Sequence, residues 1–273
     1  MRSGRRPGEN LAVTFFAQFG HWALKKTSQF LATLRLILAA LSGAAGLRNQ
    51  ATTPVLLKQI YFTGLESAKV IIVISMAIGT VIIAQVMLLV GSANASLTGK
   101  VLIWTVVREL GPMLTALIVI ARSGAAIASE LGTMKLNGEV ETLQGLGISP
   151  VSYLATPRIL GGMLAVFALT VYFEAGAILG GVLVASLGWH LPLEQFSQGL
   201  YAALTLQDLA MSAVKSLLFG LFITAAGCQQ GLAVGRSATM IPQAATLGVM
   251  HSLFLVFVLD GIVTLTFQYL HAG

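Results

Sequence analysis

The sequence predicts an all-α polytopic membrane protein, with an N-terminal interfacial helix, five transmembrane helices, a cytoplasmic N-terminus and a periplasmic C-terminus. Three observations carry this. The 273 residues are 56% hydrophobic and 10% charged, against about 25% charged in ordinary soluble domains. Mean hydropathy is +0.86. Apolar runs that could cross a ~30 Å hydrocarbon core, which takes about 20 helical residues, recur along the chain. One membrane domain over residues 1–273 is the natural division.

In residues 11–48, Phe30, Leu34, Leu38 and Leu41 recur at helical spacing among Lys25, Lys26 and Arg35. An apolar stripe with basic flanks lies in the membrane interface more readily than it crosses. A crossing over 28–47 is the alternative, and Arg35 disfavours it, because a central Arg costs about 2.5–3.5 kcal/mol on insertion scales. Residues 49–69 read as a polar-to-amphipathic connector with Pro54 as a helix-start signal. The first span, 70–90, is uncharged. The second, 104–131, contains a start or kink at Gly111-Pro112. The third, 159–187, has Glu174 near its centre, and a hydrophilic loop over 188–208 follows it. The fourth, 209–228, carries Lys215, and the fifth, 247–270, carries Asp260.

The orientation comes from Lys and Arg, which stay cytoplasmic. Nine of the 16 precede the first span, and Arg122, Lys135, Arg158 and Arg236 fall on the same side. The opposite loops contribute only Lys100. This asymmetry also accounts for the net charge of +6 as a topology and headgroup signal, not a nucleic-acid signature, since no basic and aromatic groove interleaves.

Catalytic chemistry is not expected. Gly99-Lys100 is followed by Val101, so the phosphate-loop pattern is missing, and neither HExxH nor GxSxG occurs. Cys228 is the single cysteine, and the four histidines lack ligand spacing, so neither a disulfide, a metal nor a cofactor is expected. The start, MRSGRRPGEN, has no apolar run directly after it and does not read as a removed signal peptide.

Charges inside spans are costly unless paired or hydrated, which singles out Arg108, Glu109, Glu174, Lys215 and Asp260. They either line a polar cavity or pair between helices. Gly124, Ala128 and Gly132, and the GxxxG of Gly176 and Gly180, are faces for close helix approach, within the chain more readily than across a dimer. A short helix is expected over 137–147, capped by Asn137, with Glu139 and Glu141 in its first turn. Leu136, Val140 and Leu143 form its apolar stripe; Gly145 and Gly147 end it, and Pro150 blocks resumption. It could lie on the membrane or dock into a partner.

ELGPMLTALIVIARSGAAIASELGTMK, then GLGISPVSYLATPRILGGM, LTVYFEAGAILGG, Lys215-Ser216 and GCQQGL, together resemble the MlaE/YrbE permease family of ABC transporters over residues 50–270. The resemblance implies a homodimeric permease of the bacterial inner membrane. It would work with a separate ATPase and an MCE-domain protein and move phospholipid between membranes. Arg108 and Glu109, with adjoining Gly111 and Pro112, would line the lipid cavity. The 137–147 helix would couple to the ATPase, with Lys135, Asn137, Glu139, Val140, Glu141 and Leu143 as contacts. The family pattern is close to MKVTEQIDAL where this chain has MKLNGEVETL, so Gly138 stands in place of Glu, and Glu141 in place of Asp. The rival readings are an ion-coupled carrier using Glu174, Lys215 and Asp260, which lacks the expected internal repeat, and a non-transporting scaffold.

Overall fold

The computed structural model describes residues 27–43, 52–90, 95–188, 192–235 and 237–272. The helices in them are α1 (Thr27–Ser42), α2 (Thr53–Leu89), α3 (Ala95–Leu136) and α5 (Val151–Leu187), with α4 (Glu139–Gly145), α6 (Leu193–Ala203), α7 (Leu206–Leu232) and α8 (Met240–Ala272). No strand occurs among the described residues. Helices α2, α3, α5, α7 and α8 are long and apolar enough to cross a membrane. Their outward faces carry exposed Val73, Leu88, Leu179, Ile262 and Leu265, which suits surroundings as apolar as the side chains themselves.

Each expected span lies within one of these five helices, but the helices run on beyond it. The 42 residues of α3 give a rod of about 63 Å, twice the hydrocarbon core. Of the connector expected over 49–69, residues 53–69 are instead the first part of α2, and residues 49–51 lie outside the described residues. Between Pro54 and Val70 only Gly64 weakens the helix, and a π-turn over Tyr61–Leu65 absorbs it without a break. Similar wide turns occur in α3, over Val106–Leu110 and Ile120–Gly124, and open α5 over Val151–Ala155.

One further reading is corrected. The 188–208 loop contains α6, whose Phe196 is 1% exposed. It packs on the start of α3 so closely that a Cβ at Gly199 would lie 2.1 Å from Ser96 O. In α1 the buried residues are Thr33, Ile37 and Ala40, while Phe30, Leu38 and Leu41 are exposed. Leu38 and Leu41 face outward, and the face that carries Thr33 docks on α7. There Thr33 Oγ1 bonds Gln229 Oε1, Gln229 Nε2 donates to Gln29 O at 3.3 Å, and Phe30 stacks on Phe222 with centroids 6.4 Å apart. Residues 11–26 and 44–48 of the expected interfacial helix lie outside the described residues, as does Arg236.

The small-residue faces are seams within the chain. A Cβ at Gly180 would lie 2.3 Å from Met76 O, and one at Gly79 would lie 1.9 Å from Ala177 O, so α2 and α5 touch backbone to backbone. The other face meets Ile223 at Gly124, Gly231 at Ala128 and Val234 at Gly132, which fastens α3 to α7 and the turn after it.

Candidate functional site

The π-turn over Val106–Leu110 ends at Gly111, whose N–H bonds back to Val106 O. Pro112 follows and lacks the N–H that would ordinarily bond to the carbonyl of Arg108 four residues earlier. That carbonyl instead accepts from Lys215 Nζ on α7, at 3.1 Å. The same ammonium donates to Glu109 Oε2 at 2.7 Å and lies 2.8 Å from Asp260 Oδ1 on α8, the latter a charge contact outside hydrogen-bonding angles. Glu109 Oε1 also accepts from Thr264 Oγ1 at 3.3 Å.

Lys215 is fully buried. An ammonium has three N–H donors and is expensive to desolvate, so one carbonyl and two carboxylates form the counterpart it needs in an apolar bundle. The cluster is not sealed. The side chains of Arg108 and Glu109 are 44% and 41% exposed, so both stand at its rim.

Arg108 pairs through Nε with Asp208 Oδ1 and lies over the Trp104 ring, 5.9 Å from its centroid. Asp208 is fixed by a capping box at the start of α7: its N–H donates to Thr205 Oγ1 at 3.2 Å and its Oδ2 accepts from Thr205 N at 3.2 Å. On the neighbouring face, buried Glu174 of α5 accepts from Ser212 Oγ. Gly111 adjoins it, and a Cβ there would lie 3.0 Å from Glu174 Cγ and 2.8 Å from Val106 O. A side chain at 111 would displace one or the other.

All the charged candidates within the spans therefore converge on one level of the bundle, where α3, α5, α7 and α8 meet. Sequence reasoning missed Asp208, Ser212, Thr264 and Trp104. A signal for two of them was present: Asp208, Ser212 and Lys215 fall at i, i+4, i+7, a polar stripe on an otherwise apolar helix.

The coupling candidates lie at the far end of α3. Asn137 does not cap α4. Its N–H closes α3 on Thr133 O at 2.9 Å, and Gly138 follows with φ 76°, a left-handed conformation that reverses the chain. The reversal leaves the Asn137 amide with a 3.4 Å contact to Glu139 Oε1. At the other end, Ile148 N bonds to Leu143 O at 2.9 Å and Gly147 N to Gln144 O at 3.0 Å, a Schellman closure with Gly147 at φ 75°. The apolar stripe turns inward. Val140 is 3% exposed and packs with half-buried Leu143 against the bundle, so Val140 anchors α4 and is not available to a partner. Lys135 is paired with Glu141. The outward surface comprises Glu139, Glu141 and Thr142, with Leu146 and Ile148 just beyond.

Residues 56–266 match the model of the family described as Permease MlaE. The chain belongs to the MlaE permease family. Among its relatives, a probable ABC transporter permease protein of Rickettsia typhi is 28% identical over 77% of this chain and 81% of its own length. One of a Synechocystis strain is 29% identical over 87% of this chain and 88% of its own. The chloroplastic protein trigalactosyldiacylglycerol 1 of Arabidopsis thaliana is 31% identical over 59% of this chain and 46% of its own length. This MlaE-family chain is thus the multi-pass membrane subunit of an ABC transporter, with ATP hydrolysis in a separate subunit. The matched region takes in α2 to α8 up to Thr266, and with them the whole polar level and α4.

Proposed function

We propose that this permease moves phospholipid through a cavity formed by two copies of the chain, in exchange with an MCE-domain partner at the bacterial inner membrane. In this reading the N-terminus and α4 are cytoplasmic, and the ATPase grips the outward surface of α4. The observation that carries it is the polar level around Lys215. Arg108, half exposed at its rim and backed by Asp208 and Trp104, offers a guanidinium to a phosphate oxygen, a pairing that its planar donor fork favours. Exposed Ile262 and Leu265, which flank Thr264 on α8 after Asp260, suit acyl chains. The name of the Arabidopsis relative refers to a diacylglycerol-based lipid, which supports a glycerolipid substrate.

Glu139 and Glu141 give α4 an acidic outer face, which calls for a basic groove on the ATPase. The test is transfer of a fluorescent phospholipid from proteoliposomes holding this chain, its ATPase and the MCE protein. ATP-dependent transfer that Arg108→Ala slows supports the proposal. Transport by the purified chain alone, driven by a proton gradient, would replace it with the ion-coupled carrier.

A further inference from the structure

A second polar cleft lies well away from the Lys215 level. Ser123 in its wall is 14 positions along α3 from Glu109, about 21 Å by helical rise. The cleft is bounded by α2, α3 and the start of α5 and encloses about 250 Å³. That is below the ~300–1,000 Å³ of sites that swallow a whole drug-sized ligand. Two charged rungs bracket it. On one side Arg122 pairs with Glu66 and donates to Ser67 Oγ at 3.0 Å. On the other, Glu130 meets Arg158 at 3.0 Å and Lys58 at 3.9 Å. Glu66 and Lys58, like Arg122 and Glu130, are eight residues apart, so the rungs stand about 12 Å from each other.

Three features of the cleft exceed what holding helices together requires. Arg158, its side chain 7% exposed, already neutralises Glu130, whereas Lys58 has 72% of its side chain exposed. The lower rung therefore carries one positive charge in excess. Ser123 Oγ is buried in the wall with no hydrogen-bond partner, an omission that usually has a reason. Both long helices, moreover, widen into π-turns at this height, α2 over Tyr61–Leu65 and α3 over Ile120–Gly124. Such turns collect at functional sites.

We infer that this cleft binds the phosphodiester head group of a membrane phospholipid, at a site separate from the Lys215 level. Lys58 and Arg158 supply the charge. Of the five N–H donors of Arg158, one goes to Leu154 O at 2.9 Å and one to Glu130, which leaves the others for phosphate oxygens, joined by the Ser123 hydroxyl. The acyl chains remain outside, along the exposed apolar flanks of α2.

The full chain, purified in detergent and titrated with phosphatidylglycerol under native mass spectrometry, tests this. Wild type is expected to retain a phosphatidylglycerol that neither diacylglycerol with the same chains nor inorganic phosphate replaces. Ser123→Leu, which fills the cleft, loses that lipid. Lys58→Gln, at an exposed position that does not threaten folding, weakens its binding roughly three- to tenfold, as for one partly screened charged contact. Unchanged retention in Lys58→Gln overturns the proposal, as does equal retention of diacylglycerol. Displacement by inorganic phosphate alone overturns it in favour of a soluble-anion site.

Discussion

The Lys215 ammonium donates to the backbone carbonyl of Arg108 at 3.1 Å, and the proline at 112 is what leaves that carbonyl without its usual helical donor. A helix-breaking residue and a buried charge, each unfavourable alone in an apolar bundle, thus satisfy one another across α3 and α7.

Replacing Lys215 with Met removes the charge and leaves Glu109 and Asp260 facing each other. Breaking a buried pair from one side costs about 3–5 kcal/mol, so the purified variant should melt earlier than wild type and transport no lipid. Adding Glu109→Gln and Asp260→Asn should restore much of the Tm without restoring transport. Recovery of transport in the triple variant would show that the cluster is structural only.

Pro112→Ala should separate stability from activity. An interior proline disfavours a helix by about 3 kcal/mol relative to alanine, so Tm should hold or rise. The new N–H competes with Lys215 for the Arg108 carbonyl, and lipid transfer should slow. Paired thermal melts and transfer assays check this.

Gly138→Ala places a side chain at φ 76°, at about 1–2 kcal/mol. Relief of that strain would swing α4 away from the bundle, so the ATPase should co-purify less well. Glu139→Lys with Glu141→Lys leaves the fold intact and should weaken ATPase association roughly tenfold or more by charge reversal. Unchanged association and lipid flux would favour a non-transporting scaffold.

Gly180→Leu drives a side chain into the Met76 backbone, 2.3 Å from where its Cβ must sit. Overpacking costs about 1–3 kcal/mol where side chains can yield, and a backbone yields less. Loss of the folded, monodisperse peak in size-exclusion chromatography is expected. A folded but monomeric product would instead assign this seam to a dimer.

The five spans were legible because runs such as Val70–Val90 contain no charge and no break. Their true ends were not, since Thr53–Ile60 opens α2 as an amphipathic stretch in which Lys58 and Gln59 interrupt the apolar run, and helical propensity alone does not say where the hydrocarbon stops. Phe196, Gly199 and Ala203 sit at i, i+3, i+7 in α6, but the surrounding polar residues masked a stripe that only the α3 backbone completes. In α1 the apolar stripe was legible, while the opposite face, which docks on α7, was not. When the solvent is lipid, Leu38 gains nothing by turning inward, and Thr33 gains a partner in Gln229. At the polar level, Glu109, Lys215 and Asp260 stood out as costly charges, while which of them met was a matter of tertiary register. Gly138 looked like a missing acid and is instead the only residue type that reverses the chain there without strain.

The length of α3 has a mechanical consequence. Glu109 and Lys135 are 26 residues apart on one rod, about 39 Å. A tilt of about five degrees around the Gly138 end displaces Glu109 by roughly 3 Å on that arm. The Lys215 bonds of 2.7 and 3.1 Å do not survive a displacement of that size, since hydrogen bonds fail beyond about 3.5 Å. Tilting α3 against α7 by that amount would therefore open the ion lock at the other end.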